Sequence, residues 1–269
     1  MKIVIVGCGW LGTQLAAALS AAGHQVYASR RQAQNLVNLP DAVRPLLLDL
    51  SADNTTSQVY AALEGAIVIC AIPAGSRSGA TGHYADALSR LTLLMQQAGS
   101  LAAIHFSSSG IYQGLSGDVD ETAALRMDIE RVALLANGEQ ILQQGIPLCI
   151  TLRLAGLIGP GRHPGRFVAG KEVANPEGFI NMLHADDACR AVQQLLNCQT
   201  LQSARYNLSC PLAVTRRQFY QAACNSLQAQ VSFSDDKLIS HRALAEQFTQ
   251  HFAFQYRFAN AIDALTYCD

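Results

Sequence analysis

Six residues near the N-terminus combine three glycines at a spacing that suits the binding of a dinucleotide. They follow the apolar residues 3–6, open a helical pattern and read Gly7-Cys8-Gly9-Trp10-Leu11-Gly12. The first glycine allows a tight turn, the second lets the backbone approach a pyrophosphate, and the third allows close packing of helix against strand. The N-terminus of the helix offers N–H groups to the anion. We predict cofactor contacts from Gly7, Gly9, Trp10, Leu11 and Gly12; the alternative is a glycine-rich turn without a ligand.

The residues after the second apolar run, 25–28, bear on the choice of dinucleotide. An NAD site places an acidic residue about 20 residues after the glycines, where it binds the ribose 2′-hydroxyl. Here Arg30 and Arg31 take that place, and no acidic residue lies between Gly12 and Asp41. A guanidinium pairs with the 2′-phosphate of NADP, which a carboxylate would repel. We predict a preference for NADP(H), with NAD(H) as the second choice; the alternative is a pair of solvated arginines.

Further cofactor contacts are predicted where the later strands end. Asp49 and Leu50 follow the third apolar run and are placed to meet an adenine edge. Ala71 and Pro73 end the fourth run on the side of the nicotinamide ribose, and Ser107 ends the fifth. Ordinary strand termini would have the same residue types, so this alternative stays open.

Short apolar runs that alternate with helical patterns must position these residues. The runs are four to seven residues long and comprise residues 3–6, 25–28, 45–48, 66–72, 101–106 and 148–152. Strands that are buried on both faces have this composition, without period-two alternation. The stretches between them carry apolar residues at helical spacing. Repeated strand–helix alternation predicts an α/β fold with a doubly wound parallel sheet covered by helices on both faces.

The pattern changes after about residue 153, where we place a domain boundary. Residues 156–178 contain six glycines and few periodic apolar positions, which is typical of a long functional loop. We predict a dinucleotide-binding domain over residues 1–155, to which residues 179–208 return. Residues 156–178 and 209–269 form a small substrate lobe.

Composition excludes several classes of protein. Of the 269 residues, 50% are hydrophobic and 14% are charged, and the formal net charge is −1. A disordered chain has low hydrophobicity and a high net charge, which this chain does not. A nearly neutral chain also lacks the broad positive electrostatic potential that attracts nucleic acid. No apolar run approaches the length of a membrane span. Eight cysteines without a C-x-x-C pair favour a reducing cytoplasm and give no metal-site pattern. We expect a small-molecule substrate as partner, and the low charge is compatible with a homodimer.

Four motifs together resemble the extended, in part atypical, short-chain dehydrogenase/reductase superfamily, in its NAD-dependent epimerase/dehydratase family. They are the N-terminal glycine motif and residues 106–112, 152–161 and 184–187. The resemblance covers nearly the whole chain. It implies an NAD(P)-binding Rossmann fold with a small C-terminal substrate lobe, and it places the catalytic hydroxyl of the family at Ser108.

The chain departs from this family in the residues that move protons. The family has a Tyr-x-x-x-Lys pair on the helix after the serine strand, and the lysine lowers the pKa of the tyrosine. Arg131 and Leu135 stand at those two places, and none of the tyrosines has a lysine four residues later. Three interpretations stay open. They are an enzyme with a substitute acid or base (Tyr112, Tyr84 or His163), a cofactor-binding sensor or regulator without turnover, and an enzyme in which Arg131 holds an anionic substrate while Ser108 orients a carbonyl.

Cations concentrate in the glycine-rich loop. Arg162, Arg166 and Lys171 lie within ten residues, beside His163, in a chain with only 19 lysines and arginines. This favours a phosphate or carboxylate on the substrate, with Asn181 bordering the same site; a solvated loop is the alternative. We therefore predict an NADP(H)-preferring oxidoreductase, epimerase or dehydratase for a small, anionic or sugar-like substrate. Ser108, Tyr112 and Arg131 are its candidate catalytic residues.

Overall fold

The computed structural model describes residues 1–52, 55–75 and 81–269. The strands are β1 Lys2–Val6, β2 Gln25–Arg30, β3 Arg44–Leu47, β4 Ile67–Cys70, β5 Ala102–Ser108, β6 Gly117–Val119, β7 Cys149–Leu154, β8 Gly156–Ile158, β9 Glu172–Val173, β10 Phe179–Ile180, β11 Met182–His184, β12 Ala204–Leu208, β13 Val214–Thr215, β14 Ser232–Phe233 and β15 His241–Ala243. The α-helices are α1 Trp10–Ala21, α2 Ser57–Leu63, α3 Thr81–Ala98, α4 Glu130–Gly145, α5 Gly165–Val168, α6 Ala185–Leu196, α7 Arg216–Ser226 and α8 Glu246–Phe252. Short 3₁₀ turns cover Ala33–Asn38, Ser109–Tyr112 and Asp263–Tyr267.

Seven strands form one central sheet in the order β12-β7-β5-β4-β1-β2-β3. The neighbours from β3 to β5 all pair in parallel. The strand order reverses between β1 and β4, and open α/β sheets bind ligands beside such a reversal, at the carboxyl ends of the strands. The predicted doubly wound parallel sheet is confirmed.

Helices cover both faces of this sheet because its strands are apolar on both sides. Val4 and Val6 point into a cluster that includes the buried stripe of α3, with Leu88 and Leu91. On the opposite face, Gly12 of α1 lies so close to Ile5 that an added Cβ would come within 3.4 Å of the isoleucine side chain. This two-sided burial explains why the strands lack period-two alternation.

The chain divides into two compact units. The first contains residues 1–107, 134–152 and 198–205, and the second contains 108–133, 153–197 and 206–269. The division differs from the predicted domains, since 108–133 and 179–197 belong to the second unit. Backbone pairing explains the difference, because β6 pairs with β15 and β11 pairs with β8, all within the second unit.

The second unit is built from short strand pairs around its own apolar cluster. Phe219 and Ala223 of α7 pack there with Phe258 and Leu265 of the C-terminal segment. The loop predicted over residues 156–178 contains only β8, α5 and β9 as regular elements. Within the described parts of the chain, no helix has the length and apolar character that a membrane span requires.

Candidate functional site

The glycine motif forms the turn between β1 and α1. Gly7 has a φ of +83°, and a Cβ there would lie 2.9 Å from the backbone of Ala71. Among the described residues, a Cβ on Gly9 would approach only the Gly7 carbonyl oxygen, at 3.9 Å, so the second glycine leaves open space. Gly9 is also the N-cap residue of α1, and Trp10 and Leu11 begin the helix. The turn therefore has the geometry that a pyrophosphate site needs.

Ser29 shapes this turn, although the sequence interpretation did not single it out. Its Oγ accepts a hydrogen bond from the Gly7 N–H at 3.2 Å, and its carbonyl oxygen accepts one from the Cys8 N–H at 3.1 Å. Ser29 is 2% exposed. The end of β2 thus holds the glycine turn in place through a side chain and a backbone group.

Arg30 reaches from the end of β2 to the first turn of α1. One of its terminal nitrogens donates to Thr13 Oγ1 at 3.0 Å, and Thr13 in turn donates to the Gly9 carbonyl oxygen at 2.9 Å. The Nε of Arg30 is buried and has no hydrogen-bond partner among the described residues. A buried donor without a partner costs free energy, which an anion at this position would offset. The site thus fits a group with a phosphate beside the glycine turn.

Arg31 is exposed and follows Arg30, which pairs with Leu47 at the end of β3. The pKa of Asp49 lies below its usual value because Ser51 donates two hydrogen bonds to the carboxylate, with smaller electrostatic effects from Arg31 and Arg90. Asp49 and Leu50 are both half-buried. The Asp49 carboxylate therefore bonds to its own turn.

The predicted residues after β4 lie beside the glycine turn. The Ala71 N–H donates to the Val6 carbonyl oxygen at 2.8 Å, which continues the β1–β4 pairing past the strand end. Ala71 is half-buried and Pro73 is exposed. The predicted cofactor residues at the ends of β1, β2 and β4 thus lie along one edge of the sheet.

A buried polar cluster lies behind the carboxyl end of β5. Ser107 Oγ donates to Glu139 Oε1 of α4 at 2.7 Å, and Arg205 Nε lies 3.3 Å from Glu139 Oε2. Two residues earlier, His105 Nε2 lies 3.1 Å from the hydroxyl of Tyr84. Burial lowers the pKa of His105 to about 4, so this imidazole is neutral at pH 7. Tyr84 therefore contacts a buried neutral histidine.

The candidate catalytic residues after β5 belong to the second unit and have partners there. Ser108 Oγ accepts from the Gly110 N–H at 3.1 Å and so caps the following 3₁₀ turn. The Tyr112 hydroxyl donates to Asn207 Oδ1 and accepts from Arg153, both at 2.8 Å. Tyr112 is 0% exposed, and burial raises its pKa despite Arg153. This arrangement does not support the prediction that Tyr112 exchanges protons with a substrate, because its hydroxyl is buried between two partners.

The helix that carries the family's proton relay is α4. Arg131 lies in its first turn and is half-buried, whereas Leu135 is 1% exposed and belongs to the interior. A buried leucine supplies no charge to a neighbouring phenol. The lysine position of the Tyr-x-x-x-Lys motif therefore differs both in residue type and in its surroundings, which are buried in this chain.

His163, a predicted substrate residue, is buried and has partners for both of its ring nitrogens. His163 is 1% exposed, with Nδ1 accepting from the Gly165 N–H and Nε2 within 3.2 Å of Ser226 Oγ. Burial lowers the pKa of His163. Both ring nitrogens thus hold the loop onto α7, which does not support a substrate contact.

The cations of the loop are exposed. Arg166 lies 3.4 Å from Asp269, and Lys171 Nζ donates to the Phe167 carbonyl oxygen at 2.8 Å. Arg162 is exposed beside the Gly159–Arg162 bridge. Asn181 uses both ends of its amide on β15, where it donates to the His241 carbonyl oxygen and accepts from the Ala243 N–H. Asn181 therefore joins strands.

Residues 184–187 anchor the C-terminal segment. His184 caps α6 by accepting from the Asp186 N–H, and its Nε2 donates to the Tyr267 carbonyl oxygen at 3.2 Å. Asp187 is 0% exposed and accepts from the backbone N–H groups of Arg257 and Phe258. This motif therefore has a structural role. No group of three His, Cys, Asp or Glu side chains in the described ranges is placed to hold a metal ion.

Comparison with known proteins gives curated relatives named Protein YeeZ and many similar folds. Protein YeeZ of Escherichia coli K12 is 31% identical over 226 residues, which cover 81% of each chain. The model of a family described as "NADP oxidoreductase coenzyme F420-dependent" matches residues 2–94.

The similar solved structures cover nearly the whole chain. MoeE5 in complex with UDP-glucuronic acid and NAD has a TM-score of 0.81 at 20% identity, covering 99% of this chain and 97% of that chain. UDP-glucuronic acid 4-epimerase from Bacillus cereus in complex with NAD has a TM-score of 0.82 at 16% identity, with the same coverage. At these identities the likeness establishes the fold.

Proposed function

The chain belongs to the family of Protein YeeZ, and from this premise we propose that it is an NADP(H)-dependent enzyme. Its fold matches solved structures that include an epimerase bound to NAD, and this confirms the Rossmann-type fold that the motifs implied. The reaction class that we propose is oxidoreduction, epimerisation or dehydration of a small substrate.

The proposed preference for NADP(H) depends on one observation, the placement of the Arg30 guanidinium. Its guanidinium is held against the first turn of α1 by Thr13, and its buried Nε has no partner among the described residues. A 2′-phosphate is the group that would satisfy such a donor beside the glycine turn. The absence of an acidic residue from Gly12 to Asp41 removes the usual ligand of the NAD ribose. The match of residues 2–94 to an NADP oxidoreductase family supports the same choice.

The residues of the first unit would hold NADP(H) in an extended form along the sheet edge. We assign the pyrophosphate to the glycine turn and the N-terminus of α1, the 2′-phosphate to Arg30 and Arg31, and the adenine to Asp49 and Leu50. Ala71, Pro73 and Ser107 would line the nicotinamide half. When bound, the cofactor supplies hydride transfer.

For the substrate we propose a small molecule with an anionic group, sugar-like in size. Similar folds hold UDP-glucuronic acid, which carries both phosphates and a carboxylate. Arg131, Arg162 and Arg166 are the cations of this chain that we assign to such groups, with Ser108 orienting a carbonyl. Arg166 would exchange its exposed partner Asp269 for the substrate, since exposed ion pairs contribute little.

A second candidate function is an NADP(H)-binding sensor or regulator without turnover. The observation that favours it is the state of the phenols and imidazoles that could replace Tyr-x-x-x-Lys. Tyr112 is buried between Arg153 and Asn207, and both nitrogens of His163 have partners. A chain without an accessible acid or base would bind the cofactor and leave it unchanged.

Titration of the purified protein with NADPH and NADH tests the cofactor proposal. We expect NADPH to bind at least about tenfold more tightly, and Arg30→Ala to remove most of that difference, because one charge-assisted hydrogen bond contributes roughly 1.5–3 kcal/mol. Arg44→Ala is the matched control, since this arginine lies on β3 and donates to Tyr27. Equal affinity of the wild-type protein for the two cofactors would contradict the preference.

Turnover separates the two candidate functions. NADPH oxidation with a panel of anionic aldehydes, ketones and UDP-sugars would identify an enzyme. Tight NADPH binding with no oxidation of NADPH and no conversion of any UDP-sugar would favour the sensor.

A further inference from the structure

The hydroxyl proton of Ser107, a predicted cofactor residue, has a defined acceptor. Its Oγ donates to Glu139 Oε1 at 2.7 Å, and both residues are nearly inaccessible, at 6% and 2% exposure. A serine hydroxyl has one proton and two acceptor lone pairs. With the proton directed to Glu139, Ser107 can only accept further hydrogen bonds.

Arg205 fixes the other end of this arrangement. Its Nε lies 3.3 Å from Glu139 Oε2, and the same guanidinium donates to Gln143 one turn further along α4. The ion pair holds Glu139 as an acceptor that faces Ser107 on one oxygen and Arg205 on the other. Charge-assisted hydrogen bonds of this kind are stronger and better oriented than neutral ones.

The position of Ser107 in the sheet indicates what it would meet. β5 pairs with β4 in a register that aligns Cys70 with His105, and this register, continued, aligns Ile72 with Ser107. Ile72 lies between the two residues that we assign to the nicotinamide half of the cofactor. The adenosine half belongs to the other side of the strand-order reversal, at β1, β2 and β3.

We propose that Glu139 is a positioning residue that sets the polarity of Ser107, so that Ser107 accepts a hydrogen bond from the nicotinamide half of NADP(H). The donors available there are a ribose hydroxyl and the carboxamide N–H. This inference rests on the proposed function, because it requires NADP(H) to bind at the sheet edge. It assigns a role in cofactor recognition to α4, the helix that carries no Tyr-x-x-x-Lys pair in this chain.

Glu139→Gln is the informative substitution because it can reverse the polarity. The Arg205 guanidinium attracts the amide oxygen, which turns the amide N–H₂ toward Ser107. Ser107 then accepts a hydrogen bond from the glutamine and directs its own proton toward the cofactor. Because the cofactor group there is also a donor, no hydrogen bond forms between them. We expect NADPH affinity to fall about tenfold, the size of one hydrogen bond.

Binding of NADPH and of 2′,5′-ADP, measured in parallel, gives a readout that a merely structural role would not reproduce. 2′,5′-ADP contains the adenosine and 2′-phosphate part alone. Glu139→Gln and Ser107→Ala should each weaken NADPH binding and leave 2′,5′-ADP binding within about twofold. The double variant Ser107→Ala/Glu139→Gln should bind NADPH no more weakly than the single variants, since the two residues act as one unit. Glu130→Gln, an exposed change on the same helix, is the control.

Glu139→Asp keeps the test decisive should the glutamine variant fold poorly. It retains the charge beside Arg205 and withdraws the carboxylate from Ser107 by one methylene, so NADPH affinity should again fall selectively. Unchanged NADPH affinity in the folded variants, equal losses for both ligands, or additive losses in the double variant would each overturn the inference. Failure of the wild-type protein to bind either ligand would instead overturn the proposed function, and this inference with it.

Discussion

The two units differ in what their polar groups do. In the first unit, Gly9 borders open space and the Nε of Arg30 lacks a partner among the described residues. In the second unit, Tyr112, His163 and Asn181 each have internal partners for their polar atoms. The first unit therefore leaves space and an unsatisfied donor beside the glycine turn, whereas these residues of the second unit hold its strands and loops together. The cofactor side of the proposed function is built into the fold, and the substrate side depends on exposed cations.

The largest expected effect tests the glycine turn. Gly7→Ala should lower NADPH affinity at least about 100-fold and destabilise the protein by roughly 3 kcal/mol, because the methyl group adds a backbone clash to left-handed strain. Gly23→Ala is the matched control: its φ is also +83°, but nothing lies within 4 Å of an added Cβ. Urea unfolding and NADPH titration of both variants measure the difference. Equal losses in the two variants would show that the close approach to Ala71 is unimportant.

The next effect concerns the buried histidine of the first unit. Burial lowers the pKa of His105 from 6.5 to about 4, so the unfolded chain takes up a proton before the folded one does. The free energy of unfolding should therefore fall between pH 6.5 and 4, by up to about 3 kcal/mol from this group. His105→Gln should flatten this part of the pH profile, while the exposed His83→Gln keeps the wild-type slope. A profile that is identical in wild-type and His105→Gln protein would contradict the assignment.

A smaller effect is expected for Tyr112, where the two regions can be compared directly. Tyr112→Phe removes a hydroxyl between Arg153 and Asn207, and leaving their buried groups unpaired should cost about 1–3 kcal/mol of stability. NADPH affinity should stay within about twofold, since the glycine turn belongs to the other unit. Thermal unfolding and cofactor titration test this. A variant of wild-type stability that loses turnover would restore Tyr112 as a catalytic residue.

The smallest effect is expected at the exposed loop. Arg166→Ala should change stability by less than about 0.5 kcal/mol, because its ion pair with Asp269 is solvent-exposed. NADPH affinity should not change. Once a turned-over substrate is found, the same variant should raise its KM with little effect on kcat. An unchanged KM would remove Arg166 from the substrate site.

The central sheet was predictable because each of its strands is recognisable from a few consecutive residues. Each strand is a short apolar run, and the stretches between the strands carry apolar residues at helical spacing, as α3 does with the buried Leu88 and Leu91. The glycine turn was predictable for the same reason, since a positive φ and a close approach depend on one residue type at one place. The sequence could not predict that residues 108–133 and 179–197 belong to the second unit, because this depends on pairing between short strands that are far apart in sequence.

The partners around the site could not be predicted in this way. Ser29 and Gly7 are separated by 22 residues, Ser107 and Glu139 by 32, and Tyr112 and Asn207 by 95. No periodicity links such positions, and their residue types are common on surfaces. Whether a tyrosine or histidine is accessible or fully bonded depends on these distant partners. The sequence therefore predicted which residues border the glycine turn, but not which candidate acids are hydrogen-bonded elsewhere.

The late position of β12 has a consequence for biosynthesis. This strand pairs with β7 at the edge of the sheet, yet it consists of residues 204–208. The ribosome therefore adds about fifty residues after β7 before it has made β12. Until then β7 would present an unpaired apolar edge, and Glu139 would lack its Arg205 counterion. Chains that terminate before residue 204 would keep the glycine turn but expose that edge, so premature termination here favours aggregation and proteolysis over a working half-protein.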